Sequence, residues 1–318
     1  MTFRKILVLS TTFFIIWGCI VLNGMALQQA NSDDDPAWGN STGPYEVIME
    51  VDSTLPEHTV YRPEDLSGFP SKDQLPVVIM SGPGCDNDGD SFRPFFTELA
   101  SYGYLVVAAG LPVPEGARAE LYHNKSEDLL AAIDWAFAEN SRNTSKYFGK
   151  IDIGNVALMG HSCGGSLVME LTHDPRVTTI LFWNSGALVK TEKGKTASDG
   201  RWATPDDDMW RSQAYAVTLD IPVAYVVAEK DILLPNSLSD YQQVKDAPAF
   251  FAVCAIPENP HGGTFHEKNG GVYGEFGVGW MQWQMKGDTE AAQLFKGHPT
   301  GFEKADSKWT EIRKKNID

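Results

Sequence analysis

Short apolar segments rich in β-branched residues alternate along the chain with longer amphipathic segments. This alternation is typical of parallel strands joined by helices that cover both faces of a sheet. Because the apolar segments are nearly continuous, they suit strands that are buried on both faces. The predicted strands are residues 77–80, 104–109, 156–159, 178–183, 223–227 and 249–255.

Amphipathic spacing predicts helices between these strands. The second helix begins near Ser126, whose hydroxyl can cap it. The predicted helices are residues 91–102, the one starting near 126, 166–171, 237–245 and a helical end from Tyr273 onward, with Trp280, Met281 and Trp283 packing onto the sheet. The sequence therefore predicts one α/β domain over residues 27–318, with a mostly parallel sheet.

Residues 187–218 interrupt the alternation. The stretch is polar and charged, and it contains Trp202, Pro205 and Trp210. A long excursion from the carboxyl end of a strand overhangs the ligand crevice of an α/β sheet. We expect either a short lid or pocket wall here, or an irregular surface loop without a role in binding.

The first 26 residues have the pattern of a secretory signal peptide. Arg4 and Lys5 precede an apolar run at 6–22, and small residues follow up to Ala26. That order predicts cleavage after Ala26. An uncleaved anchor is the alternative, since the run approaches the roughly 20 residues that span a bilayer. Polar residues dilute the run, so we expect a secreted protein without a stable membrane span.

The formal net charge of −16 becomes −18 when the two basic residues of the signal peptide leave. So acidic a chain repels phosphate backbones and anionic lipid headgroups, which argues against nucleic-acid or membrane-surface partners. Three N-glycosylation patterns begin at Asn40, Asn124 and Asn143, and they would be acceptor sites only in a eukaryotic host. Three cysteines remain after cleavage, enough for at most one internal disulfide: Cys85, Cys163 and Cys254.

Residues 160–164, Gly-His-Ser-Cys-Gly, lie between a predicted strand and a predicted helix. This G-x-S-x-G pattern in that context predicts a nucleophile elbow, a sharp turn that exposes the hydroxyl of Ser162 above the sheet. The glycines at 160 and 164 leave room where the helix folds back against the strand. An ordinary turn is the alternative reading.

A serine hydroxyl becomes nucleophilic only when a base removes its proton and a third group orients that base. Asp231 follows the strand at 223–227, and His261 follows the strand at 249–255, so both lie at carboxyl ends of strands. The order serine, aspartate, histidine matches a catalytic triad on this kind of sheet. Nearby alternatives are Glu229 and Asp240 for the acid and His266 for the base. Each triad residue has a plain structural alternative too, as a turn, cap or loop residue.

Acyl transfer also needs two N–H groups aimed at the developing oxyanion. The first would come from Cys163, directly after the nucleophile. The second would come from the loop at 81–86, where Pro83 has no N–H and Gly84 or Cys85 is the donor. A plain Gly-Pro turn is the alternative.

Other candidate residues have weaker support. Three tryptophans are candidates for an apolar acyl or aryl pocket, with core packing as the alternative: Trp183, Trp202 and Trp210. His161 is expected to serve in packing or hydrogen bonding. Cys163 is discounted as a nucleophile, because the residue after the elbow serine points into the fold. Neither metal-ligand spacing nor a dinucleotide fingerprint is found, so no cofactor is expected.

These residues resemble the α/β-hydrolase superfamily, and within it the dienelactone-hydrolase, chlorophyllase and polyester-hydrolase group. The resemblance extends from residue 77 to about 295. It rests on residues 81–84, 99–109 and 160–165 and on the loops that hold Asp231 and His261. It implies an α/β-hydrolase fold and hydrolysis of a small-molecule or lipid-like carboxylic ester through an acyl-serine at Ser162.

One departure from this group limits what the resemblance implies. Polyester hydrolases commonly have methionine or another larger residue at the position of Cys163. The resemblance therefore does not imply a polymer substrate for this chain. Two other classes of function remain open on the same residues. One is a serine peptidase or acyltransferase with the same triad, and the other is a noncatalytic binding protein on a hydrolase scaffold.

Overall fold

The six predicted apolar segments become strands, and further strands flank them. The computed structural model describes residues 41–318 except 70–73, 122, 191–196, 205–211, 257 and 305. The strands of this described part are β1 (Val47–Glu50), β2 (His58–Pro63), β3 (Leu75–Ser81), β4 (Leu105–Ala109), β5 (Ile151–His161), β6 (Val177–Trp183), β7 (Val189–Lys190), β8 (Ala203–Thr204), β9 (Val223–Ala228), β10 (Ala249–Cys254) and β11 (Trp309–Lys315).

Nine of the strands in the described chain form one sheet, in the order β1-β2-β4-β3-β5-β6-β9-β10-β11. Neighbours from β4 to β10 pair in parallel. At the edges, β1, β2 and β11 pair antiparallel. The predicted α/β class with a mostly parallel sheet is confirmed.

Helices cover both faces of the sheet. In the described chain they are α1 (Arg93–Ser101), α2 (Ser126–Ser141), α3 (Cys163–Glu170), α4 (Ala214–Thr218), α5 (Leu234–Gln243), α6 (Gly271–Lys286) and α7 (Thr289–Ala292). Side chains of β3 alternate between two cores, because successive residues of a strand point to opposite faces. Val77 and Ile79 pack with residues of α2, α3 and α5. Val78 and Met80 pack with residues of α1 and α6.

The sequence analysis did not predict the edge strands, and β2 and β11 carry polar side chains among their apolar ones. In β2, the buried Thr59 donates to the Gly110 carbonyl, and the buried Arg62 pairs with Glu50 of β1 at 2.8 Å. These partners satisfy polar groups that would otherwise disfavour burial. In β11, four charged residues accompany the half-buried Trp309 and Ile312, a composition that suits an edge strand.

Two predictions about helices need correction. The cap of α2 comes from Asp128, whose carboxylate accepts from the Lys125 N–H at 2.7 Å, whereas the Ser126 hydroxyl donates to Glu170. The end of the chain is helical only in part, because β11 follows α6 and α7. The predicted packing of the tryptophans and methionine of α6 onto the sheet is confirmed: Trp280 and Met281 are fully buried, and Trp283 packs at the edge of the same core.

Of the three glycosylation patterns, the described chain contains two. Asn143 is exposed. Asn124 is buried, and its side-chain amide donates to the carbonyls of Asp86 and Ala109. A glycan would replace one of the two Nδ2 hydrogens that make these hydrogen bonds, and the side chain is only 5% exposed, so the structure argues against the expectation at this position. Asn40 and the predicted signal peptide at 1–26 lie outside the described residues.

Parts of the 187–218 segment are described, and they contact α5. Asn236 of α5 donates to the carbonyls of Ala187 and Trp202 and accepts from the Trp202 N–H at 2.7 Å. Asp240 of α5 accepts from the Ala187 N–H at 2.6 Å and from the Tyr215 hydroxyl at 2.8 Å. These buried contacts hold the described parts of the segment against α5. No helix among the described residues is long and apolar enough to cross a membrane.

Candidate active site

Ser162 occupies a sharp turn between β5 and α3. Its backbone has φ 54° and ψ −119°, a region that non-glycine residues rarely adopt and that is often found at functional sites. A Cβ at Gly164 would lie 2.1 Å from the Ser81 carbonyl oxygen, and one at Gly160 would lie 2.5 Å from the Gly165 Cα. The two glycines thus allow the turn to pack against itself and against the end of β3, the strand beside β5.

The predicted serine, histidine and aspartate lie in one hydrogen-bonded chain. The Ser162 Oγ is 2.8 Å from His261 Nε2. On the other side of the ring, His261 Nδ1 is 2.8 Å from Asp231 Oδ2. A carboxylate can only accept at this distance, so Nδ1 carries the proton and Nε2 is left to accept from the serine hydroxyl. The arrangement meets the geometric requirement for a nucleophile, a base and a group that orients the base.

Asp231 lies in the loop between β9 and α5 and is buried. Its second carboxylate oxygen, Oδ1, accepts from the Leu233 N–H at 2.6 Å. Both carboxylate oxygens therefore have fixed partners, one in the backbone of its own loop and one in His261. This leaves the carboxylate a single orientation toward the imidazole.

The loop that carries His261 is held by its backbone. The side chain of Asn184, at the end of β6, donates to the carbonyls of Pro260 and His261 at 3.1 and 2.9 Å. The Asn184 oxygen accepts from the Ala228 N–H and the Tyr273 hydroxyl, each at 2.9 Å. One side chain thus joins β6, β9, α6 and the histidine loop. The sequence analysis missed Asn184; its position directly after a predicted strand was the available signal.

His161 also binds the loop that carries His261. Its Nε2–H donates to the His261 carbonyl at 2.7 Å, and its Nδ1 has no partner among the described residues. The ring is buried and packs edge-on against Phe92 and Phe265, whose rings stack on each other. The expectation of a packing and hydrogen-bonding role is confirmed. Burial lowers the pKa of His161 to about 3, and the nearby His261 and His266 contribute to this lowering.

Because the pKa of His161 is low, we expect the free energy of unfolding of the protein to decrease in acid. The pKa of His161 in the folded protein lies below its ordinary value of 6.5, so the unfolded chain binds more protons between pH 6.5 and 3. The free energy of unfolding decreases over this window as pH falls, by up to about 1.4 kcal/mol per pH unit from this residue. In His161→Gln, the amide keeps the donor to the His261 carbonyl but does not titrate. Urea unfolding from pH 7 to 4 should show a shallower loss of stability in the variant, and equal slopes would contradict this assignment.

Two loops meet beside the Ser162 hydroxyl. The Cys163 N–H is the first of α3 and donates to no acceptor in the described chain, as expected at the start of a helix. Across from it, the loop after β3 brings Gly84 to the wall of the same cavity. A disulfide joins Cys85 of this loop to Cys163. Cys163 thus has no free thiol, which agrees with its exclusion as the nucleophile.

A cavity of about 150 Å³ opens at Ser162 and His261. The rest of its wall is formed by Gly84, Cys163, Ser166, Gly186, Leu188, Trp202, Ile232 and Leu233. Leu188 and Trp202 belong to the 187–218 segment, so described parts of that segment do form a wall of the cavity. Leu188, Ile232 and Leu233 were not identified from the sequence, because isolated aliphatic residues carry no pattern specific to binding.

The structure separates the three candidate tryptophans. Trp202 lines the cavity. Trp183 does not: it is fully buried among Phe95, Phe265 and Tyr273 in the core, so its assignment to the pocket is wrong. The alternation of β6 points this side chain away from the cavity and into the packed face. Trp210 lies outside the described residues.

The rival acid and base residues do not contact the serine. Asp240 is buried and hydrogen-bonded to Ala187 and Tyr215 of the 187–218 segment, Glu229 is exposed, and His266 packs edge-on against Phe92 with ring centroids 5.5 Å apart. Within the described residues, no cluster of three or more histidine, cysteine or acidic side chains is arranged to hold a metal ion.

The fold and the site together define an α/β protein that carries a hydrogen-bonded Ser-His-Asp chain at the carboxyl end of its sheet. No protein-family model matches the chain, and a search of curated proteins finds no match either.

Proposed function

We propose that the protein is a serine hydrolase of the α/β-hydrolase fold that cleaves carboxylic esters through an acyl-serine intermediate. The observation that carries the proposal is the continuous hydrogen-bonded chain from Asp231 through His261 to Ser162, with both links at 2.8 Å. The chain ends on a serine held in an elbow, next to the Cys163 N–H, which has no acceptor among the described residues. This combination has no evident structural purpose, because the strained turn at Ser162 stabilises nothing by itself.

The proposed reaction proceeds in two halves. His261 Nε2 takes the proton of Ser162 Oγ as this oxygen attacks the ester carbonyl, and the oxyanion accepts from the Cys163 N–H and from an N–H of Gly84 or Cys85. His261 then returns the proton to the leaving alcohol, and the acyl-serine remains. In the second half, His261 takes a proton from water, which attacks the acyl-serine, and passes this proton to Ser162 as the acid leaves. Asp231 stabilises the doubly protonated imidazole in both halves.

The cavity supports a neutral substrate with a short acyl group. Its volume is about 150 Å³. Apart from the side chain of His261, no titratable group lines it in the described chain. Leu188, Trp202, Ile232 and Leu233 supply an apolar side, and Ile232 at the rim is 52% exposed. Beyond His261, the described wall of the cavity offers no charged side chain that would orient a charged peptide.

We also propose that the protein is exported. The support is the signal-peptide pattern at 1–26 and the disulfide between Cys85 and Cys163, since disulfides persist mainly in oxidising compartments. Exposed Asn143 remains a candidate glycosylation site in a eukaryotic host. Edman sequencing of the exported protein should find residue 27 at the amino terminus.

A fluorophosphonate probe and a series of p-nitrophenyl esters test the proposed activity. We expect the probe to label Ser162, identified by peptide mass spectrometry, and labelling to disappear in Ser162→Ala. Esters with two to six acyl carbons should be cleaved faster than those with eight or more, because longer chains exceed the cavity. A peptide p-nitroanilide and an alternative acyl acceptor, added in parallel, test the peptidase and acyltransferase readings. An unlabelled, inactive folded protein would favour the noncatalytic binder.

A further inference from the structure

The single disulfide of the described chain joins the two loops that the proposed oxyanion hole needs. Cys85 lies in the loop after β3 and Cys163 directly after Ser162; they are 78 positions apart in sequence and their Cα atoms are 5.3 Å apart. Each cysteine lies on, or next to, a residue whose N–H would bind the oxyanion. The bond is thus placed between the two donors rather than at a distant point of the fold.

The backbone conformation at Cys85 does not favour a residue with a side chain. Cys85 has φ 49° and the preceding Gly84 has φ 64°, both in the left-handed region that favours glycine. Glycine at position 85 would adopt this conformation more easily. The residue is nevertheless a cysteine, with its side chain buried, which indicates that the covalent link is what this position supplies.

Other contacts hold only the two ends of the loop. At its start, the Gly82 carbonyl accepts from the Gly164 N–H at 3.1 Å. At its far side, the Cys85 carbonyl accepts from the Asn124 N–H at 2.9 Å. Between these points the chain turns through Pro83 and Gly84, with one backbone hydrogen bond across the turn, from the Asp86 N–H to the Pro83 carbonyl. The disulfide adds a covalent connection from this turn to the elbow, beside the Gly164–Gly82 hydrogen bond.

We propose that the Cys85–Cys163 disulfide is a positioning element, which fixes the second oxyanion donor relative to the Cys163 N–H, so that hydrolysis depends on the oxidised state of this pair. The inference rests on the proposed function, because an oxyanion forms only if Ser162 attacks a carbonyl. The donors of an oxyanion hole act through their placement, since they must already point at the charge as it develops. Loosening the turn therefore weakens binding of the transition state more than binding of the substrate.

The first experiment uses Cys85→Ser/Cys163→Ser and a second variant, Cys85→Gly/Cys163→Ser, whose glycine accepts the left-handed conformation without strain. Cys254→Ala, which removes the buried free cysteine of β10, is the matched control. For each folded protein, kcat and KM are measured with a short p-nitrophenyl ester, together with the inhibition constant of a trifluoromethyl ketone, which forms a tetrahedral oxyanion on serine. Melting temperatures are recorded in parallel, and all assays are run well below them.

Both double variants should lose about 10-fold or more in kcat, less than the 10²- to 10³-fold loss typical of removing a donor altogether. Affinity for the ketone should fall by a similar factor, while KM changes by less than about twofold. The control should match the wild type. A merely structural disulfide would lower the melting temperature and leave kcat and ketone affinity unchanged in both variants, and that result would overturn the inference.

Reversible reduction tests the same point without mutation. Dithiothreitol would deliver two electrons and two protons to the disulfide, leaving two cysteine thiols and its own cyclic disulfide. The reduced wild type should show the loss in kcat, regain activity on reoxidation, and leave the double variants unaffected by either treatment. If the wild type stays fully active after reduction, while mass spectrometry shows that the disulfide is open, this inference alone is overturned. A wild type that is inert toward esters and the fluorophosphonate overturns the proposed function, and this inference with it.

Discussion

Replacing His261 with alanine is expected to lower kcat for a short p-nitrophenyl ester by about 10⁵- to 10⁶-fold, the loss typical when the base of a triad is removed. The imidazole is the only group within hydrogen-bonding distance of the Ser162 hydroxyl in the described chain, at 2.8 Å. Without it, the hydroxyl keeps its proton and reacts poorly. Steady-state kinetics with a purified, folded variant measure the effect.

The fold should tolerate this change. Asn184 and His161 bind the main-chain carbonyl of His261, so the loop keeps these contacts when the side chain is removed. His266→Ala is the matched control, because His266 lies in the same loop region but packs against Phe92. We expect this control to stay within a few-fold of the wild type. A His261→Ala protein that retains more than a hundredth of wild-type activity would show that another base acts on Ser162.

The centre of the sheet could be predicted because its strands are buried on both faces and so must be apolar. The edges could not, because their register and partners exist only in the folded protein. Thr59 and Arg62 of β2 look like loop residues in the sequence, yet each is buried with a specific hydrogen-bonding partner. Hydrophobic periodicity carries no information about such partners.

The candidate site divides in the same way. Ser162, Asp231 and His261 could be proposed because each follows a strand, and carboxyl ends of parallel strands meet at one edge. Asn184 also follows a strand, but its importance depends on three other segments that only the fold brings to it. The residue type of Trp183 makes it a pocket candidate with core packing as the alternative, and the alternation along β6 directs it into the core.

The disulfide illustrates what sheet order adds. Three cysteines allow three pairings, and sequence spacing does not choose among them. In the fold, β3 and β5 are neighbours, so the loops that follow them meet, and Cys85 comes next to Cys163. Cys254, within β10, is separated from them by β6 and β9. The pairing is therefore a consequence of strand order.

The second large effect is expected at Asp231. The Leu233 N–H donates to Asp231 Oδ1 at 2.6 Å. In Asp231→Asn, this N–H still needs an acceptor, so the amide oxygen replaces Oδ1 and accepts from it. The amide NH₂ then faces His261 Nδ1, which can no longer donate and must accept. The imidazole proton moves to Nε2, where it points at Ser162 and prevents the ring from accepting the serine proton.

We expect this wrong tautomer to lower kcat by about 10⁴-fold, as the same change does in other Ser-His-Asp enzymes, with little change in KM. The substitution is nearly isosteric, so circular dichroism and the melting temperature should show a folded protein. Glu229→Gln, a neighbouring exposed acid neutralised in the same way, should leave kcat unchanged. In proton NMR spectra, the downfield signal of the Nδ1 proton should disappear in Asp231→Asn and persist in Glu229→Gln. If Asp231→Asn kept kcat within about tenfold of the wild type, orientation of His261 by Asp231 would contribute little to catalysis. Another contact would then fix the tautomer of His261.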